Sequence, residues 1–229
     1  METKTERVTL KPTLKSQLSP VRRDRLKAAA SRLKRGNSAT LFFLQWLRAP
    51  GRMGAVVPSS RRLADAMARQ IPPEARQDAA PVVELGGGTG SITRGILDVG
   101  IPPHRLIVLE RDPRLAELLG KRFPGITVLC GDAQDLQALL AERGITRVAA
   151  VLSGLPLLLF PEQARCRVVD ACFAVLPDGR PLIQFTYGFA APLPPHEHLL
   201  HARRVARVFR NVPPAFVWTF KKAGPGAGE

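Results

Sequence analysis

The chain has 229 residues, 45% of them apolar and 6% aromatic, with 34 Lys+Arg against 19 Asp+Glu for a net charge of +15. That apolar content builds a folded core and excludes wholesale disorder. Three cysteines without a CxxC pair (Cys130, Cys166 and Cys172) argue against a disulfide scaffold and are read as reduced and cytosolic. The charge is concentrated at one end. Residues 1–62 hold fifteen Lys+Arg and three acids, a net +12, while the remainder carries only +3. A polycationic arm calls for a polyanion, either nucleic acid or an anionic membrane surface.

Along the chain, residues 1–18 show no clear period, and Ser19-Pro20 reads as a helix cap with proline at the first helical position. Leu26, Ala29, Ala30 and Leu33 then form a narrow apolar face edged by Arg22, Arg23, Arg25, Lys27, Arg32, Lys34 and Arg35. The segment Leu41–Leu47, LFFLQWL, is apolar almost all round and stops at Ala49-Pro50-Gly51. A further helix is expected at Arg61–Gln70, before Pro72-Pro73. The longest nearly apolar run, Val148–Phe160, is broken by Ser153, Gly154 and Pro156 and falls short of the roughly 20 residues that span a bilayer. Neither a transmembrane helix nor a secretion signal is expected.

From residue 81 the pattern alternates. Strands are expected at Pro81–Leu85, Leu106–Glu110, Thr127–Cys130, Val148–Ser153, Pro181–Tyr187 and Phe216–Lys221. Helices are expected at Ser91–Val99, Pro113–Arg122, Leu136–Arg143 and Pro161–Val175, with a basic one near Leu199–Phe209. Such alternation means βαβ units on a parallel sheet. The expected organisation is a basic amphipathic arm at 1–50, an α/β domain at 51–222 and a disordered Gly/Pro-rich tail at 223–229.

The sharpest signal is Val82-Val83-Glu84-Leu85-Gly86-Gly87-Gly88-Thr89-Gly90, a strand running into a glycine loop and then a helix. Glycine lets the backbone approach a ligand closely. The dinucleotide fingerprint fits poorly, because Ser91 takes its last position, and a P-loop is excluded because no Lys-Ser/Thr pair follows. Glu84 precedes the loop by two residues, where a carboxylate can reach a cationic ligand. Glu110 closes the second strand, where a carboxylate can accept from both hydroxyls of a ribose. Asp132, in Gly131-Asp132-Ala133, follows the third strand and suits an exocyclic amine. Three acids at the carboxyl ends of consecutive strands mark the ligand edge of an open α/β sheet.

The series ELGGGTG, VLERD and GDA resembles motifs I, II and III of the class I S-adenosylmethionine-dependent methyltransferases, over roughly residues 80–190. The resemblance implies a Rossmann-like seven-stranded sheet with helices on both faces and an antiparallel last strand, which Phe216–Lys221 would supply. It also implies S-adenosyl-L-methionine as cofactor, with the glycine loop at its methionine part, Glu110 at the ribose, and Asp132 with Ala133 at the adenine. Cofactor contacts are accordingly expected from Ser59, Glu84, Gly86, Gly87, Gly88, Gly90, Glu110, Arg111, Asp132, Ala133 and Ser153. No metal is expected.

The motif after the fourth strand, Ser153-Gly154-Leu155-Pro156, departs from the Asn-Leu-Pro-aromatic motif of the rRNA adenine dimethyltransferases. Ser153 and Leu157 stand in place of the amide and the ring. Stacking is the main means of holding a flipped base, so the departure counts against RNA. The stretch FFLQWLRAPGRMGAVVPSS at Phe42–Ser60, with a Val-Val-Pro-Ser-Ser loop, and the stretches at Phe185–Gly188 and Arg210–Trp218 instead resemble bacterial phospholipid N-methyltransferases. That resemblance implies N-methylation of phosphatidylethanolamine towards phosphatidylcholine. The alternative is an rRNA adenine N6-methyltransferase that binds RNA through its arm.

A lipid substrate suits the arm, because a helix edged by long cationic side chains lies in the membrane interface. The expected location is cytoplasmic, peripheral to the inner face of the cytoplasmic membrane. Tyr187, the only tyrosine, is the candidate catalytic residue that orients the acceptor amine. Arg203, Arg204 and Arg210 are candidates for the lipid phosphate, although a solvated basic helix face is the favoured reading of them. His196, His198 and His201 read as a surface loop.

Overall fold

The computed structural model describes residues 57–187, 191–193, 200–209 and 214–222. The expected helices of the arm, the 223–229 tail, Arg210, His196 and His198 lie outside the described residues. Helix α1 (Val57–Ala68) buries Leu63, Ala64, Met67 and Ala68, a stripe at helical spacing. It begins earlier than expected and takes in Val57-Pro58-Ser59-Ser60, which the sequence reading makes a loop. A proline in the first turn removes no helical hydrogen bond, so Pro58 starts the helix instead of breaking it. A short helix α2 (Pro73–Gln77) follows.

The rest alternates as expected: β1 (Val82–Leu85), α3 (Ser91–Asp98), β2 (Leu106–Glu110), α4 (Pro113–Arg122), β3 (Thr127–Cys130), α5 (Leu136–Ala141), β4 (Ala150–Ser153), α6 (Glu162–Val175) and β5 (Leu182–Thr186). Two strands close the chain, β6 (Leu200–Val208) and β7 (Ala215–Lys222). All seven lie in one sheet of order β3-β2-β1-β4-β5-β7-β6. Neighbouring strands from β3 to β5 pair in parallel, and β7 is antiparallel to both β5 and β6.

β6 corrects the basic helix expected near Leu199–Phe209. Its arginines recur at helical spacing, but a register shift between Arg204 and Ala206 explains the pattern. Before the shift Ala202 faces the sheet layer that holds Phe220; after it Ala206 and Val208 face the opposite layer, beside Val217 and Ala215. A bulge of this kind interrupts the two-residue alternation by which a strand is recognised.

The strands β1 and β4 are buried along their whole length, which their near-continuous apolar runs require in a sheet covered on both faces. One core layer packs Leu63 and Met67 of α1, Ile96 of α3 and Leu119 of α4 against Val82, Val108 and Leu152. The other packs Leu136 and Leu140 of α5 and Val169 and Phe173 of α6 against Val83, Leu85 and Val151. Strand alternation therefore turns Glu84 toward the first layer, in line with Val108 and Leu152. Among the described residues no helix is long and apolar enough to cross a membrane.

Candidate functional site

The strand order reverses between β1 and β4, and the loops leaving the carboxyl ends of β1, β2, β3 and β4 meet at that edge. Open α/β sheets bind ligands at such a switch point. The glycine loop is held in place by its own backbone: the Gly86 N–H donates to the Leu109 carbonyl (2.8 Å) and the Gly90 N–H to the Gly87 carbonyl (2.8 Å). Gly90, at φ 84°, caps α3, and a Cβ there would lie 2.2 Å from the Phe123 ring. Arg94 and Arg122 lie over that ring at 5.0 and 5.5 Å, and Arg122 also donates to the Thr89 carbonyl (2.7 Å). Gly88 is different. A Cβ on it would meet only the Gly86 carbonyl oxygen, at 4.0 Å, so this side of the loop is open.

Glu84 is completely buried beneath the loop. Its Oε2 accepts a 2.6 Å hydrogen bond from the Thr93 hydroxyl on α3, while Oε1 has no partner among the described residues. Burial pushes the carboxyl up to about 8, against the Thr93 hydrogen bonds, and the nearby Glu110 charge pushes the same way as burial. A buried carboxyl with an unpaired oxygen suits a cationic ligand group at the mouth of the loop.

Glu110 ends β2 with both oxygens aligned: Oε2 accepts from the Gly88 N–H (2.8 Å) and Oε1 from the Asp112 N–H (2.9 Å). Asp132 starts the turn after β3, its Oδ1 accepting from the Gln134 N–H (2.9 Å) and its Oδ2 3.8 Å from the Arg111 guanidinium. Ala133 is half-buried against the second core layer. The Gly131 N–H donates to the Glu110 carbonyl (3.1 Å), which ties the two acidic turns together. Glu84, Gly88, Glu110, Arg111 and Asp132 are therefore assembled along one edge. Their composition, carboxylate acceptors around an open glycine loop, fits a ligand with a cationic end, a diol and an exocyclic amine.

Two expected contacts stand apart. Ser153 is completely buried and its Oγ accepts from the Leu155 N–H (3.3 Å), so it shapes the turn after β4. Ser59 lies in the first turn of α1, and its side chain is outside the described residues. Tyr187 follows β5, half-buried and edge-to-face on Phe185 (5.4 Å, 76°). It lines a cavity of about 30 Å³ with Leu155, Leu157, Leu158, Phe185 and Thr186. Leu157, which stands where the RNA enzymes carry a ring, is buried. Arg203 and Arg204 are exposed on β6, as is His201. Among the described residues no cluster of His, Cys, Asp and Glu is able to hold a metal.

The sequence reading misses two residues that shape the site. Thr93 supplies the donor to Glu84; a hydroxyl one turn into the helix after a strand acid was the available signal. Gln184 is buried within β5 and donates to the Leu155 carbonyl (2.9 Å), pinning the loop after β4. An amide inside the apolar run LIQFT was the corresponding signal.

No family model matches the chain. It is 42% identical over 126 residues to an ornithine lipid N-methyltransferase of Singulisphaera acidiphila, over 54% of this chain and 64% of that protein. It is 34% identical over 128 residues to a probable ribosomal RNA small subunit methyltransferase A of Natronomonas pharaonis, over 53% of this chain and 39% of that protein. The chain thus spans less than two thirds of either relative. A TehB-like S-adenosylmethionine-dependent methyltransferase structure from Corynebacterium glutamicum superposes with a TM-score of 0.51 at 18% identity, covering 82% of this chain and 99% of that one. The fold is that of the class I S-adenosylmethionine-dependent methyltransferases.

Proposed function

We propose that the chain is an S-adenosylmethionine-dependent N-methyltransferase acting on the primary amine of a membrane lipid, phosphatidylethanolamine, from the inner surface of the cytoplasmic membrane. The cavity at Tyr187 carries this reading. It is lined by Leu155, Leu157 and Leu158 together with Phe185, Thr186 and Tyr187, a mostly apolar surround that carries the Thr186 and Tyr187 hydroxyls. Leu157, at the position where the RNA enzymes carry a stacking ring, is buried, which favours an amine headgroup over a nucleobase as acceptor. The relative that acts, by its name, on ornithine lipid supports an amine-bearing lipid as acceptor. The arm, with eleven Lys+Arg and three acids in residues 1–35, supplies reversible attachment to an anionic leaflet.

In this reading Glu110 accepts from the ribose hydroxyls, Asp132 with Ala133 meets the adenine, and Glu84 Oε1 meets the cofactor's ammonium across the open face at Gly88. Arg111 holds the Asp132 carboxylate in position. Bound there, the cofactor supplies a methyl group on a sulfonium leaving group, and the protein's contribution is mainly proximity and orientation. Once the headgroup ammonium has given up a proton to solvent, the Tyr187 hydroxyl oxygen would accept a hydrogen bond from a remaining N–H and so orient the nitrogen lone pair that forms the N–C bond as the S–C bond breaks.

The deciding experiment offers labelled S-adenosylmethionine with vesicles of phosphatidylethanolamine, vesicles containing ornithine lipid, or rRNA. Label in phosphatidylethanolamine is expected; label in rRNA alone overturns the lipid reading. Tyr187→Phe is expected to lower kcat about 3- to 10-fold with cofactor affinity unchanged, since the lost hydrogen bond is to the acceptor. Normal turnover would reduce Tyr187 to packing. Glu110→Ala leaves the ribose hydroxyls without their acceptor, and calorimetry is expected to show a loss of roughly 1–3 kcal/mol in cofactor binding. Unchanged affinity in a folded variant removes Glu110 from the cofactor site.

A further inference from the structure

β6 is the terminal strand of the sheet, and among the described residues its outer edge pairs with no other strand. Because β7 is antiparallel to both neighbours, β6 runs in the direction of β1–β5 and ends at the same edge as the glycine loop and the acceptor cavity. The strand exposes Arg203, Arg204 and Arg207, and none of the ion pairs among the described residues involves them. The sequence from Leu200 to Lys222 contains six Lys+Arg and no acid. Immediately after the strand Phe209 is 67% exposed, and Leu158, which lines the acceptor cavity, is 43% exposed. Charges on an edge strand have a plain use, since they discourage edge-to-edge aggregation. An exposed phenylalanine at the strand's end works against that use and needs another account.

We propose that this rim of the catalytic edge, Arg204, Arg207, Phe209 and Leu158, is a second membrane-contact surface that seats the acceptor cavity on an anionic phospholipid leaflet. The proposal rests on the lipid reading above and adds a surface within the folded domain to the N-terminal arm. Arg204 and Arg207 lie opposite Trp218 and Phe216 on one face of the sheet. The Arg204 guanidinium stands 5.5 Å from the Phe216 ring and 5.9 Å from the Trp218 ring. Stacking on two rings holds the guanidinium in place, and its planar fork matches phosphate oxygens two at a time. Phe209 is sited to enter the acyl boundary while the arginines remain at headgroup depth, the usual division of an interfacial surface. Leu158 both lines the cavity and faces outward, so it connects the membrane-facing rim to the place where the amine is held.

The test uses full-length protein and two variants, Arg204→Glu/Arg207→Glu and Phe209→Ser. Sedimentation is measured with vesicles of phosphatidylcholine containing phosphatidylglycerol and with vesicles of phosphatidylcholine alone. The double variant is expected to bind the anionic vesicles on the order of 25-fold less tightly, with a shallower salt dependence. Phe209→Ser is expected to lose roughly tenfold on both kinds of vesicle, because the apolar contribution is not screened. Both should keep wild-type cofactor affinity. If loss of the ring stacking unfolds the double variant, Phe209→Ser still decides, since that side chain holds little of the core. Methylation of a water-soluble short-chain phosphatidylethanolamine separates the two readings. If no lipid is methylated, the functional reading fails, yet vesicle binding still reports on the rim. Wild-type partition by Phe209→Ser, or a variant that loses affinity only for structured RNA, overturns the proposal.

Discussion

Glu84→Gln is expected to stabilise the ligand-free protein by several kcal/mol near pH 8 and to change little near pH 4.5. Burial raises the Glu84 carboxyl from an ordinary 4.5 to about 8 in the folded protein, so the folded chain keeps a proton that the unfolded chain has lost across that window. Stability then falls as pH rises, by up to about 1.4 kcal/mol per pH unit, and the loss is complete once the folded carboxyl itself ionises. The amide keeps an oxygen for the Thr93 hydroxyl and removes the titration. Urea unfolding of both proteins from pH 4.5 to 8 reads the difference directly. Under the proposed cofactor role a cation at Oε1 favours the ionised form, so binding releases a proton. Wild-type affinity should therefore climb with pH toward 8, and the binding enthalpy should vary with the buffer's ionisation enthalpy. Thr93 and Glu110 are the groups that face this carboxyl, and neither reproduces the pattern in the Gln variant. Parallel stability curves for the two proteins would show that Glu84 does not carry the proton.

The parts of the fold legible in the sequence are those whose residues satisfy local and global demands together. β2, α4 and β3 fall at their expected bounds: Asp112-Pro113 caps and opens α4, Arg122 ends it, and LIVLE needs no polar face in a sheet covered on both sides. β6 was not legible because Leu200–Val208 satisfies two periods. Arg203, Arg204 and Arg207 fit one helix face, and the bulge that makes them compatible with a strand depends on pairing with β7, a partner that lies later in the chain. The start of α1 was hidden for a related reason, since Pro58 reads as a loop until the following apolar stripe is seen to pack under α3. In the site, the placement of Glu84, Glu110 and Asp132 at or near the carboxyl ends of β1, β2 and β3 follows from the strand pattern. The burial of Ser153 and the Thr93 hydrogen bond do not, because each depends on what a neighbouring element places against it.

Gly90→Ala and Gly88→Ala are expected to separate fold from function within one loop. At Gly90 a methyl group must adopt φ 84° and enter space held by Phe123, whose ring atoms would lie 2.2 and 2.8 Å away, with Leu119 at 3.2 Å. The left-handed conformation costs about 1–2 kcal/mol and the overpacking about 1–3 kcal/mol more. The ring has little freedom to withdraw, because Arg94 and Arg122 lie over it and Phe123 itself belongs to the first core layer. Gly90→Ala should accordingly unfold at much lower urea than wild type. At Gly88 the backbone is also left-handed, at φ 53°, but a methyl group meets only the Gly86 carbonyl oxygen at 4.0 Å. The stability cost there is the conformational part alone, roughly 1–2 kcal/mol. The same methyl group projects into the open side of the loop, where the cofactor's methionine end is proposed to sit. Gly88→Ala should therefore lose more cofactor affinity than stability, and Gly90→Ala the reverse. Replacing Phe123 with Leu in the Gly90→Ala background should recover part of the lost stability, a non-additivity expected only of groups in contact. If Gly88→Ala bound the cofactor as wild type does, the open face of the loop would have to be assigned to something else.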